Sequence, residues 1–159
     1  MAELAFDQEV SLFLATCRTA SVATSDAALG PHAANVQFVS DEAWRLYWVS
    51  SPDARHSRDV VADPRAAVTI YAHDDRPDQI RGLQLHGQVR VITDDAAWQR
   101  VWDLYTARFT FIKDNPVLTQ AVRSQRFYVF TPTWLRWIDN RRGFGWKVET
   151  RRFEDSASA

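Results

Sequence analysis

Residues 80–93 read as one long strand, and from Leu83 to Val91 the chain alternates with a period of two. Leu83, Leu85, Gly87, Val89 and Val91 fall on one side, and Gln84, His86, Gln88 and Arg90 on the other. Only an extended strand sends successive side chains to opposite faces, so this stretch specifies a strand with one buried face and one wet face. Such a strand needs antiparallel neighbours, and the rest of the chain supplies candidates. Residues 18–25, 32–39, 44–49, 65–72 and 127–138 all read as strands, the last bent or at an edge near Pro132. In 44–49, Trp44, Leu46 and Trp48 share one face, and Arg45, Tyr47 and Val49 the other.

Turn and helix signals separate these strands. Ala28-Leu29-Gly30-Pro31 marks a turn, as do Glu42-Ala43 and the polar stretch 73–79 around Pro77. An opening helix is expected from the apolar face of Leu4, Val10, Leu12, Phe13 and Leu14, with acids near its start. Ser51-Pro52-Asp53 reads as an N-cap, a first helical proline and a first-turn acid. That helix should run to Ala62 and stop before Asp63-Pro64, because a residue ahead of proline is driven out of the α region. Asp94 caps a helix whose stripe is Trp98, Trp102, Tyr105 and Phe109. Asn115-Pro116 interrupts it, and a second short helix runs to Ser124. Strands joined by hairpins with a few inserted helices predict a mainly β fold, a closed or partly closed antiparallel barrel with flanking helices. No dinucleotide or phosphate-loop fingerprint is present.

The 159 residues suit one domain, expected over residues 1–150, with residues 151–159 as a disordered tail. With 46% hydrophobic and 25% charged residues, the composition is that of a globular protein. A net charge of -1 argues against a nucleic-acid or anionic-membrane binder. Cys17 is the only cysteine, so no intrachain disulfide forms. There is no basic, apolar leader and no membrane-length apolar run, which leads to the expectation of a cytoplasmic protein. The seven tryptophans read first as core, although a flat cofactor or a subunit interface would also use them.

Chemistry concentrates where the 44–49 strand ends. Val49-Ser50-Ser51-Pro52-Asp53-Ala54-Arg55-His56 places hydroxyls, free helix N–H groups, a guanidinium and an imidazole together, and all of them favour an anion such as phosphate. The plainer alternative is a capped surface helix. Asp53 is tolerable there only if it points to solvent.

These residues carry a resemblance. Trp48-Val49-Ser50-Ser51, then Arg55-His56, then Asp63-Pro64-Arg65 resembles the pyridoxamine 5'-phosphate oxidase-like superfamily of flavin-binding split β-barrels. The long strand around Gly87 is similar as well. Asp139-Asn140-Arg141-Arg142-Gly143-Phe144-Gly145-Trp146-Lys147 is similar to the ending of its YhbP-like members, and the resemblance covers residues 10 to 148. It implies flavin mononucleotide (FMN) as cofactor, held between two identical subunits of a homodimer. Arg55 and His56 take the place of the phosphate-binding basic pair, although family members usually carry Lys at the second position. A neutral His would make that grip pH-dependent. Val49 and Ser50 lie beside the flavin, with Asn35, Val36 and Gln37 along the preceding strand. A family glutamine falls at Gly82, which leaves Gln84 as its substitute. The basic grip for a vitamer phosphate is missing, so vitamin B6 oxidation is not implied.

The implied activity is an FMN-dependent oxidoreductase acting on a small-molecule substrate, with no residue assigned as acid or base. Two alternatives stay open. One is a non-catalytic flavin- or haem-binding or sensing module on the same fold. The other is a reductase using the deazaflavin F420. Among single residues, Cys17 reads as a structural thiol and His86 as a solvent or interface residue. His32, His73 and His86 lack metal-ligand spacing. Gly143 and Gly145 read as a tight turn oriented by Asp139 and Asn140.

Overall fold

Seven antiparallel strands make one sheet in the order β3-β2-β1-β4-β5-β6-β7, and a further β3–β6 pairing closes it into a barrel. The computed structural model describes residues 5–74 and 76–151. The expectations for Leu4 and for the tail after Arg152 therefore lie outside the described residues. In chain order the elements are α1 (Phe6–Thr16), β1 (Thr19–Asp26), β2 (Gly30–Ser40), β3 (Leu46–Ser50), α2 (Arg55–Ala62) and β4 (Arg65–Ala72). There follow β5 (Arg81–Val91), α3 (Asp95–Arg108), α4 (Pro116–Arg123), β6 (Arg126–Asp139) and β7 (Lys147–Thr150). The split antiparallel barrel expected from the sequence is the fold observed.

The long alternating segment is β5, and its periodicity does what it specifies. Leu83, Leu85 and Val89 are buried in the barrel, while His86, Gln88 and Arg90 are exposed. β6 is the hub. Its residues 126–130 pair with β3, its residues 135–138 pair with β7, and β5 runs along its other edge. The register shifts at His86/Gly87, opposite Pro132 and Thr133. Proline cannot donate to the ladder, so the bulge falls where the ladder loses a donor. β7 was not expected. Its four residues carry no periodicity long enough to read, and it exists because the turn before it returns the chain to the free edge of β6.

Two apolar clusters explain the helices. The barrel interior holds Ala20, Val22, Val36, Phe38, Leu46, Trp48, Val68, Ile70, Leu83, Leu85, Phe130 and Trp137, capped by Val10, Phe13 and Leu14 of α1. The second cluster lies outside the barrel, where Trp102, Tyr105 and Phe109 of the α3 stripe cover Val39, Tyr47 and Phe127. Asp94 caps α3 by accepting from the Ala97 amide at 2.7 Å, as its position predicts.

Two local expectations are corrected. Trp44 is not in β3: its φ is 59°, and it sits in the turn with its indole donating to Ser11 Oγ at 2.9 Å. Leu46, Tyr47 and Trp48 are all buried, because β3 has the barrel on one side and α3 on the other. Ser51 is not the N-cap of α2 either. The Ser51 carbonyl accepts from the Ala54 amide at 3.2 Å, a turn that delays the helix to Arg55. The Ser51 hydroxyl is already accepting from the Asp53 amide at 3.2 Å. No described helix is long and apolar enough to cross a membrane.

Candidate functional site

α2 leaves the end of β3 and packs across β1 and β2, bringing together residues that are distant in sequence. Ser50 closes β3, and its Oγ lies 2.6 Å from His56 Nε2. Burial lowers the His56 pKa, and His32 nearby pushes it further down while Asp59 opposes. His56 is therefore held toward its neutral form. Arg55 turns toward the β1–β2 hairpin, where its Nη2 donates to the carbonyls of Gly30 at 2.9 Å and Leu29 at 3.2 Å. Its Nε lies 3.8 Å from Asp59 Oδ2, and Asp59 in turn accepts from Thr24 Oγ1 at 2.7 Å. Thr24 and Asp59 are each 4% exposed, so this is a buried polar network that fixes α2 to β1.

The network is not fully satisfied. Arg55 Nε and Ser57 Oγ are both buried without a hydrogen-bond partner. Buried polar groups are normally paired, so both atoms are exceptions. The first-turn amides of α2 separately favour an anion. Of the residues expected at the phosphate, Ser50 and His56 are in contact, the Arg55 guanidinium turns to the β1–β2 hairpin, and Asp53 is exposed.

The residues expected along a flavin ring are spread wider. Val49 is half-buried at the end of β3, and Asn35 and Gln37 are exposed on β2. Val36, between them, is only 6% exposed and belongs to the barrel interior, so its side chain is not available to a ligand on the outer face. Gln84 lies on the same outer face as Asn35 but three strands away, at about 14 Å by strand spacing. Its Oε1 accepts from Arg136 Nη1 at 3.2 Å. In one protomer, Asn35 and Gln84 do not border one ring.

Sequence reading missed the row that joins them. Asn35, Ser21, Thr69, Gln84, Arg136 and Glu149 pair in succession across β2, β1, β4, β5, β6 and β7. Ser21 donates to Asn35 Oδ1 at 2.6 Å, and Arg136 Nε donates to Glu149 Oε1 at 2.8 Å. Beside this row run Ala33, Ala23, Ala67, His86 and Trp134. Three alanines make a flat strip, ending at His86 stacked on Trp134 with ring centroids 4.5 Å apart. The row depends on register between strands, which no single strand carries in its own sequence. Thr24 and His32 were likewise legible only once α2 was placed.

Comparison with known proteins agrees with this architecture. No curated protein matches the sequence. Among solved structures, a conserved hypothetical protein of Mycobacterium tuberculosis superposes with a TM-score of 0.74 at 19% identity, covering 87% of this chain and 88% of that one. HutZ, the haem storage protein of Vibrio cholerae, gives 0.68 at 20% identity over 81% and 91% of the two chains. A haem binding protein of Mycobacterium smegmatis gives 0.69 at 21% identity over 95% of this chain and 60% of that one. At such identities the likeness is one of fold. The model of the pyridoxamine 5'-phosphate oxidase family matches residues 6–138, nearly the whole barrel, and the chain belongs to that family.

Proposed function

We propose that this protein is a homodimeric FMN-binding oxidoreductase whose cofactor phosphate sits at the start of α2. The observation that carries the reading is the Ser50–His56 contact at that turn, beside the opening residue Arg55 of α2. A bound phosphate would accept from the first-turn amides of α2 and pair with the basic side chains there. A flavin supplies hydride and electron transfer when bound, and the chain's task is to orient it and shape its surroundings. In this reading Arg55 and His56 hold the phosphate, Ser50 positions the His56 ring, and Val49, Asn35 and Gln37 border the flavin. Gln84 reaches the flavin from the second subunit. The alanine strip supports the dimer, since small side chains let two sheets approach closely. A dimer also resolves the distance between Asn35 and Gln84.

Titration with FMN, followed by absorption, tests the reading. Saturable binding by the native protein that Arg55→Ala weakens at least tenfold is the expected result. No binding by the native protein overturns it.

A second reading is favoured by the comparisons: a haem-binding module on the same fold. Two of the similar structures are named for haem, and His86 is exposed on the proposed dimer face. A Soret band on haem addition that His86→Ala removes is the result this reading requires.

A further inference from the structure

At the other end of the barrel, away from α2, α1 covers a cavity of about 340 Å³. That is within the size range of small-molecule sites. Its apolar wall is Leu12, Phe13, Ala72 and Trp137, and its polar groups are Glu9, Thr16, Cys17, Arg81 and Arg141. The charged groups differ in their commitments. Arg141 is spent on Asp139, donating from Nε at 2.8 Å and Nη2 at 2.7 Å, and Glu9 pairs with Arg142. Arg81 has no carboxylate or hydrogen-bond partner among the described residues. Its guanidinium lies 5.9 Å from the centre of the Phe13 ring, at the cavity wall.

Trp137 also lines the cavity and is 2% exposed. The cavity thus combines a guanidinium without a carboxylate partner and an apolar wall that includes two aromatic rings meeting edge-on at 4.8 Å.

We infer that this cavity is a second ligand site, taking a small organic carboxylate with a compact apolar body. The carboxylate pairs with Arg81, and the body packs on Phe13 and Leu12. The assignment does not depend on the flavin reading, because none of its residues belongs to the α2 site.

Cys17 gives a direct readout, since it lines the cavity, is half-buried, and is the only cysteine. Its alkylation by iodoacetate is compared with that by neutral iodoacetamide. In each case sulfur displaces iodide, and the thiol proton passes to buffer. The ratio of the two rates at Cys17 is expected to exceed that of an uncharged cysteine peptide by about tenfold, because a cationic cleft concentrates the anionic reagent. Arg81→Gln should abolish most of that excess, and Arg81→Lys should keep it. Benzoate should slow iodoacetamide saturably in the native protein but not in Arg81→Gln, while benzamide should do nothing. A peptide-like ratio in the native protein overturns the assignment. So does an excess that survives in an Arg81→Gln protein of native circular dichroism, or equal protection by benzamide.

Discussion

At Gly87 a Cβ would meet the Thr131 carbonyl oxygen at 2.2 Å and the Phe130 ring at 2.8 Å. The residue is buried at the bulge, and one of the clashing atoms is backbone. Gly87→Ala should therefore cost about 2–3 kcal/mol by overpacking, read as a lower denaturation midpoint at unchanged m-value. Asp59 makes the complementary case of a group that must be kept. Asp59→Ala leaves the Thr24 hydroxyl buried without an acceptor and should cost about 1–3 kcal/mol. His56 adds a pH dependence whose sign follows from its environment. Its folded pKa is lowered from 6.5 by burial and by His32, so the unfolded chain takes up the proton more readily. The stability contributed by the neutral ring is complete above pH 6.5 and is lost as pH falls through the lower, folded pKa. Urea unfolding across that range should show the loss, and His56→Gln should flatten it.

At the scale of elements, two side chains brace the turn between β6 and β7: Asp139, whose Oδ1 accepts from the Arg141 amide at 3.1 Å, and Asn140. Asn140 Nδ2 donates to the Pro77 carbonyl at 2.7 Å, and its Oδ1 accepts from the Gly145 amide at 3.1 Å. Gly143 and Gly145, at φ 139° and 80°, take conformations that a side chain would strain. Asn140→Ala should release β7 from the edge of β6 before the barrel unfolds, seen as faster amide exchange at residues 147–150 with the β5 amides unchanged. The sequence signalled this turn through its glycines and Asn140, yet not the strand after it, since four residues carry too little periodicity. α2 gives a related lesson. Ser-Pro-Asp is a good helix start by local chemistry, but the Ser51–Ala54 turn takes up those residues first, and the helix opens on the two basic side chains.

For the whole molecule, the proposed dimer makes the alanine strip its critical surface. Ala67→Glu would set a charge in the middle of a flat contact. The expected result is a shift from dimer to monomer in light scattering, with native circular dichroism and loss of any FMN binding. A native protein that is monomeric at micromolar concentration sinks the shared-site reading. The Arg81 cavity would then stand unaffected, because it lies beneath α1 within one protomer.

Alternation in β5, with turn and helix signals between the other strands, made the fold class legible from sequence, because burying one face of a pleated strand leaves few other solutions. The α3 stripe was legible in the same way. The candidate site at Ser50, Arg55 and His56 was legible as a candidate because all three lie within seven residues of one strand-to-helix junction. What joined Asn35 to Glu149 in one row, sent Val36 inward, and set Thr24 against Asp59 was strand register and helix docking. These depend on which residues meet across the barrel, and that is decided only when the two apolar clusters pack and the sheet closes on itself.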